Sequence, residues 1–345
     1  MRNDMEKSGL AFGECVDRLV TVDVGGSGFA GPLYAETRKR FGNPLAYTAA
    51  KRLVERVRPG GMVVIATGFP CDLNIGDQAI GETDGPGGAA VLARAIRLGL
   101  NAIPIIVSEK GIVGMVQNAC RAMGLAIVNR NEARKAQKTK LIVPCAIVEE
   151  FTESADKADS VVSEMLKQFA PDAVVAIERP DKNEKGVYNA WLPEGPLDIT
   201  HLTAKVDRLF VRARSMGILT VGIGDAGGDM GLGNIKDYVK LNMPFGTDFH
   251  ATTEMDCAVV ATISDWGAYG VAACIAYLLN NTSFLHTPTL EEHLLLECAR
   301  HNVLNYGTTP EAYLGRHGMD IGTQQAIVKI LHTAIETQLK GRRMF

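Results

Sequence analysis

The sequence predicts an α/β fold: a mostly parallel sheet with helices on both faces, in three layers, followed by a helical C-terminal segment. Three observations carry this. Short, β-branched apolar runs recur along the chain, each bounded by Gly, Pro or a polar cluster, as strands buried on both faces require. Segments of helical period lie between them, which implies βαβ units with right-handed crossovers. After Ile263 the strand signal stops and the helical one continues.

Taken in order, residues 1–18 read as a short N-terminal extension before a strand at Leu19–Val24. Helix Leu45–Val57 leads to strand Met62–Thr67, and helix Pro86–Leu98 to strand Ile103–Val107. Helix Val113–Met123 precedes strand Leu141–Val148, and helix Ala155–Phe169 precedes strand Ala173–Ile177. Helix Leu202–Met216 leads to Leu219–Ile223, and Cys257–Ile263 is the last strand. Residues 266–345 are mainly helical, with Trp266–Leu279, Thr289–Asn302 and Gln324–Gln338, and their apolar faces leave room for a homodimer contact. No repeat, low-complexity tract or linker interrupts the chain, so residues 1–345 read as a single α/β domain.

Composition narrows the function. With 36 Lys+Arg against 39 Asp+Glu the net charge is -3, so there is no basic face for nucleic acid. No apolar run approaches the roughly 18 residues of a membrane span, and the mixed charges of Met1–Glu14 do not form a targeting sequence, so a cytoplasmic protein is expected. Seven scattered cysteines, an odd number without a C-x-x-C pair, read as reduced thiols. Cys71 alone stands in a polar loop, and no sequence-near His activates it. Glycine is in excess, 36 residues or about a tenth of the chain against a usual ~7%, which directs attention to where the glycines fall.

They fall in loops after strands, together with carboxylates. Met62–Thr67 runs on through Gly68 to Glu82-Thr83-Asp84-Gly85-Pro86. Ala173–Ile177 runs into Glu178-Arg179, Leu219–Ile223 into Gly224-Asp225 and on to Gly227-Gly228-Asp229, and Cys257–Ile263 into Ser264-Asp265. In open α/β sheets ligands lie beyond the carboxyl ends of the strands, so these four loops predict one composite acidic site. Carboxylates held together share protons, giving an acid and a base, or bind a divalent cation. Pro86, at a helix start, marks a candidate anion-binding terminus, and Arg179 is a candidate bidentate clamp for a substrate carboxylate. The same residues have plainer readings: Asp84 and Asp225 as turn or cap residues, Glu178-Arg179 as part of an ion-pair network. Gly26-Ser27-Gly28-Phe29-Ala30-Gly31 matches a dinucleotide loop, but the acid expected about 20 residues on is missing. Among the histidines His250 is the candidate acid/base.

The run Ala66-Thr67-Gly68-Phe69-Pro70, then Glu82-Thr83-Asp84-Gly85-Pro86, Glu178-Arg179 with Gly186-Val187-Tyr188-Asn189, Gly222 through Gly233, and Ser264-Asp265-Trp266-Gly267 resembles the C-terminal domain of the D-glutamate cyclase family. The match runs from about Leu45 to Leu279. It implies a hydro-lyase that interconverts an amino-dicarboxylate such as D-glutamate with its lactam, 5-oxo-D-proline, and water, with no nucleotide cofactor. Where the family usually reads Gly-Asp-Gly-Gly-Asn-Glu this chain has Gly224-Asp225-Ala226-Gly227-Gly228-Asp229, and Asp265 stands where the family usually has Asn. Such changes imply a related small carboxylate or amide as substrate.

On that resemblance Asp225 is the base and Glu178 the acid, with Asp84 and Asp229 holding the substrate ammonium or a divalent ion. Arg179 binds a carboxylate, the N–H groups of Gly227 and Gly228 face the oxyanion, and Thr67, Gly68, Glu82, Thr83, Asn189, Ser264 and Asp265 line the substrate. Two alternatives stay open: a metal-dependent hydrolase or lyase with Mg²⁺, Mn²⁺ or Ca²⁺ on Asp84, Asp225 and Asp229, and a non-catalytic binder of a small amino acid.

Overall fold

Seven parallel strands form the central sheet: β1 (Met62–Thr67), β2 (Ile103–Ser108), β3 (Ala126–Ile127), β4 (Cys145–Glu150), β5 (Ala173–Ile177), β6 (Leu219–Gly224) and β7 (Cys257–Val260), in the spatial order β7-β6-β5-β1-β2-β4-β3. The computed structural model describes residues 2–71, 80–192, 194–301, 303–304 and 315–344. Alternate side chains of a strand face opposite ways, which splits the core in two. Val63, Ile65, Ala173, Val175 and Ile177 pack against helices Leu45–Arg56, Pro86–Gly99, Lys110–Ala122 and Ser264–Leu279. Val64, Ala66, Val174 and Ala176 pack against helices Ala155–Phe169 and Asp207–Ser215. The three-layer α/β arrangement is therefore present. It explains why the strands read as continuous apolar runs, because neither face of a strand such as β2 or β6 meets water.

The strand order places the site. From β1 the chain crosses to β2 on one side; after β4 it returns to β5 on the other. The crevice between the carboxyl ends of β1 and β5 is thus a topological switch point, where crossovers leave in opposite directions and open a gap. Thr67 ends β1, and Glu178 follows β5.

Several boundaries differ from the sequence reading. Leu19–Val24 is not a strand: residues to Val20 belong to helix Arg2–Val20, and the rest is a turn. Phe12, Val16 and Val20, four residues apart, are fully buried, whereas Val22 and Val24 are 42% and 55% exposed. The strand placed at Leu141–Val148 starts at Cys145, after Pro144, and leaves Leu141 81% exposed. Cys257–Ile263 ends as a strand at Val260, and the following helix begins at Ser264. The C-terminal helices are Pro288–Ala299 and Ile321–Met344; Asn302 lies outside the described residues. The dinucleotide-like loop follows a turn instead of a strand, and its N–H groups are already taken. Ser27 and Gly28 donate to the Asp23 carboxylate at 3.0 and 2.7 Å.

Candidate active site

Four strand ends and one hairpin converge on a set of buried carboxylates. After β1, the short strand Ile80–Glu82 carries Glu82 and delivers Thr83, Asp84 and Gly85 to the start of helix Pro86–Gly99. Glu178 leaves β5 with φ +44°, a left-handed backbone that non-glycine residues seldom adopt, and its N–H donates to Ile223 O of β6 at 3.1 Å. That twist turns the side chain toward helix Ser264–Leu279, where Ser264 Oγ donates to Glu178 Oε2. Asp225 and Asp229 bracket the tight turn after β6; Asp229 Oδ2 accepts the N–H of Asp225 and of Ala226, both at 2.9 Å. Gly85 permits this crowding. At φ +95° it occupies glycine territory, and a Cβ there would lie 2.8 Å from Glu178 Cβ and 2.9 Å from Thr67 Oγ1.

The predicted residues Glu82, Asp84, Glu178, Asp225, Asp229 and Ser264 are thus brought together, and His317 joins them. His317-Gly318 forms the tip of a hairpin between Gly315–Arg316 and Met319–Asp320, with φ +49° and +70° at the two tip residues. Its Nε2 lies 3.3 Å from Asp84 Oδ2 and 3.4 Å from Asp225 Oδ2. The side chain is 20% exposed where those of Asp84 and Asp225 are 1% and 7%, so the imidazole lies on the solvent side of the acids. A two-residue turn with both φ angles positive is the type I′ hairpin geometry, and X-Gly is its cue. Arg316-His317-Gly318-Met319 carries that cue in the sequence.

Electrostatics sorts the acids. Burial raises Glu82 to about 7 against the pull of His317. Burial likewise raises Asp229 to about 7, opposed by the N–H groups of Ala226 and Asp225. Glu178 is pushed well above the carboxylate range by burial and by Asp225 and Asp229. Asp225 is pushed up too, through burial and Asp229, although His317 works the other way. Asp84 differs: despite burial, His317, Arg316 and the Asp265 N–H hold it below the usual range. Its oxygens accept N–H groups of Gly85, Ser264 and Asp265 at 2.8–2.9 Å. The carboxylates around it raise His317 to about 10 despite burial, with Asp225 the largest contributor, so it is a cation at neutral pH.

Several other predicted residues are engaged with neighbours in the fold. Arg179 is not free to clamp a substrate: it is fully buried and paired with Glu109, Nη1 to Oε2 at 2.7 Å and Nη2 to Oε1, with Gly68 O at 2.7 Å and Ala204 O at 3.1 Å as further acceptors. The start of helix Pro86–Gly99 is not an open anion site, because Asp265 Oδ1 accepts Gly85 N–H at 2.9 Å and Gly88 N–H. Asp265 also pairs with the buried Arg316 at 2.6 Å, so it ties two helix starts and the hairpin together and has no side-chain acceptor to spare for substrate. Asn189 donates to Asp248 O at 2.9 Å, among the residues that fix the Asp181–Asn183 loop. Gly227 O and Gly228 O accept N–H groups of Ala251 and Asp181, and a Cβ on either would strike Val239 or Phe249; these glycines let the turn seat against its neighbours. Thr83 Oγ1 donates to Gly315 O at 3.3 Å, anchoring the hairpin. His250 bonds to Gly246 O at 2.9 Å and faces Glu184. Cys71 is buried with its thiol raised well above its ordinary value by burial and Glu82, which keeps it protonated. The metal set Asp84, Asp225 and Asp229 is also regrouped. Asp84 clusters with Asp225 and His317, and Asp229 with Glu178 and Asp225, the ligand atoms of each trio lying within 4.8 Å of one another. Acidic groups capable of holding a metal are therefore present.

Fold and site together define an α/β protein with a buried, carboxylate-rich centre at the strand ends of a parallel sheet. The sequence model described as D-glutamate cyclase-like, C-terminal matches residues 16–332, and the chain belongs to that family. A human protein named D-glutamate cyclase, mitochondrial, is 30% identical over 224 residues, which are 63% of this chain and 33% of the human one. The chain thus spans about a third of that relative's length. Among the described residues no helix is long and apolar enough to cross a membrane.

Proposed function

We propose that this chain is a hydro-lyase of the D-glutamate cyclase type, interconverting a small amino-dicarboxylate such as D-glutamate with its lactam and water. The observation that carries the reading is the convergence of Glu82, Asp84, Glu178, Asp225 and Asp229 at the switch point of the sheet, with the His317 imidazolium on Asp84 and Asp225. Ring closure needs two protons removed from the ammonium, the nitrogen brought to the side-chain carboxyl carbon, and both protons delivered to the departing carboxylate oxygen so that it leaves as water. Opening the lactam uses the same groups in reverse.

Glu82, poised near 7, carries the two protons in turn from nitrogen to the departing oxygen; the base role passes to it from Asp225, whose Oδ2 faces His317. His317 takes the anchoring role first given to Arg179 and receives a substrate carboxylate from the solvent side, while Asp84 orients the ring. The surrounding carboxylates favour the ammonium end of the substrate. The partner is therefore a small carboxylate or lactam, not nucleic acid or membrane. The test is incubation with D-glutamate, 5-oxo-D-proline and a panel of related amino-dicarboxylates and lactams, read by mass spectrometry for loss or gain of water. Turnover of one of these that falls at least about 10²-fold in Glu82→Gln is expected. Ligand-induced stabilisation without turnover would replace the reading with a non-catalytic binder.

A further inference from the structure

The trio Glu178, Asp225 and Asp229 has a property that the hydrogen bonds around it do not account for. Asp229 is 1% exposed, and its Oδ2 accepts two backbone N–H groups while its Oδ1 meets no donor. Thr67 Oγ1, fully buried at the end of β1, likewise has no hydrogen-bond partner. It sits beside Glu178: the same point above Gly85 is 2.9 Å from Thr67 Oγ1 and 2.8 Å from Glu178 Cβ. Buried polar oxygens without partners are costly, and a bound ion is one group that satisfies them.

The neighbouring arginines do not supply it. Arg179 is taken by Glu109, and Arg316 by Asp265 and Glu291. His317 pairs with Asp84 and Asp225, at 3.3 and 3.4 Å. Asp84 has its oxygens satisfied by three N–H groups. The trio that includes His317 therefore has its counter-charge, whereas in the trio of oxygens Asp229 keeps a buried oxygen that no donor meets.

We propose that Glu178, Asp225 and Asp229 form a binding site for one hard divalent cation of the Mg²⁺, Mn²⁺ or Ca²⁺ class, with the Thr67 hydroxyl at its edge. All three ligands are carboxylate oxygens, the donor set that such ions prefer over softer metals. They come from the ends of adjacent strands β5 and β6, so the sheet fixes their spacing before any ion arrives. The site is independent of the reaction assigned above, because it is measured without substrate.

The experiment titrates the full chain, stripped with chelator, with Mn²⁺ alone, following free Mn²⁺ by electron paramagnetic resonance and the thermal midpoint in parallel. One Mn²⁺ per chain is expected, displaced by excess Mg²⁺ or Ca²⁺. Asp229→Asn and, as a second variant, Glu178→Gln should each weaken binding at least about 10-fold, with circular dichroism confirming that the variant has folded. His317→Gln, which removes the positive charge facing the Asp225 ligand, should not weaken the affinity. Absence of saturable Mn²⁺, or unchanged affinity in both folded carboxylate variants, overturns the proposal. So does a loss confined to His317→Gln, which would assign the ion to Asp84, Asp225 and His317.

Discussion

His317 is the residue on which the proposed substrate orientation turns, since it is a cation on the solvent side of two ionisable acids. Replacing it with Gln keeps a polar side chain and removes the charge. A charge-assisted hydrogen bond is worth roughly 1.5–3 kcal/mol, so KM for the turned-over substrate should rise about 10- to 100-fold, with kcat changing less. Steady-state kinetics checks this, and a fall confined to kcat would instead make His317 part of proton transfer. Arg179 behaves oppositely. Its charge is spent on Glu109, which also accepts the N–H of Ala204 at 2.8 Å. Glu109→Gln should leave an uncompensated buried guanidinium and cost about 3–5 kcal/mol in urea unfolding. A residue of Arg179's type in a strand-end loop is the natural choice for a substrate clamp on sequence alone. Only the neighbour 70 positions away, at the end of β2, reveals that it is a brace.

At the scale of elements, the hairpin Gly315–Asp320 and the start of helix Pro86–Gly99 are held by one network. Arg316 joins Asp265 and Glu291, Asp265 caps Gly85 and Gly88, and Gln324 Oε1 accepts from Trp266 Nε1 at 2.8 Å. Gly85→Ala tests the packing beneath it. The added methyl would meet Glu178 and Thr67 at under 3 Å on a backbone with φ +95°, so a stability loss of at least about 1 kcal/mol together with loss of turnover is expected. Thermal unfolding and activity read the two effects separately. What the sequence made legible follows the same division. β1, β2, β5 and β6 announce themselves because both faces of each are buried and the runs are uniformly apolar. The carboxylates Glu82, Asp84, Glu178, Asp225 and Asp229 are legible from their position after those strands. A hairpin with two residues per strand is too short for periodicity, so His317 and Arg316 stayed hidden. At Leu19–Val24, the buried stripe Phe12, Val16, Val20 has helical spacing, yet the alternating Val20, Val22, Val24 beyond it imitates a strand.

For the whole molecule, concentrating acids at one sheet edge has a thermodynamic consequence that can be read without substrate. Glu82 and Asp229 are raised to about 7 and Asp17 and Asp181 to about 6, in each case chiefly by burial. Each holds its proton in the folded chain at a pH where the unfolded chain has released it. The stability they contribute is complete below about pH 4 and is lost as pH rises through 6 to 7. His317 adds the same sign at higher pH: raised from 6.5 to about 10, it gives stability present below 6.5 and lost as pH approaches 10. Glu291 opposes them only at the acid end. Lowered to about 2 against its burial by Arg316 and His286, it contributes stability present above 4.5 that disappears as pH falls toward 2. The chelated protein should therefore be most stable near pH 4 and lose thermal midpoint steadily from there to pH 9, as scanning fluorimetry across that range would record. Asp229→Asn removes one of the opposed groups, so its midpoint should exceed the parent's at pH 8 by about 2 °C or more and match it more closely at pH 5. A cation bound to the trio acts in the same direction at pH 8, since it stabilises the ionised carboxylates that folding otherwise brings into conflict, and added Mn²⁺ should flatten the parent's slope but not the variant's. A midpoint that climbs from pH 5 to pH 8 in chelator would mean that the acids are compensated within the folded chain, and the crowding of charge at the sheet edge would lose its meaning for both the proton transfer and the ion.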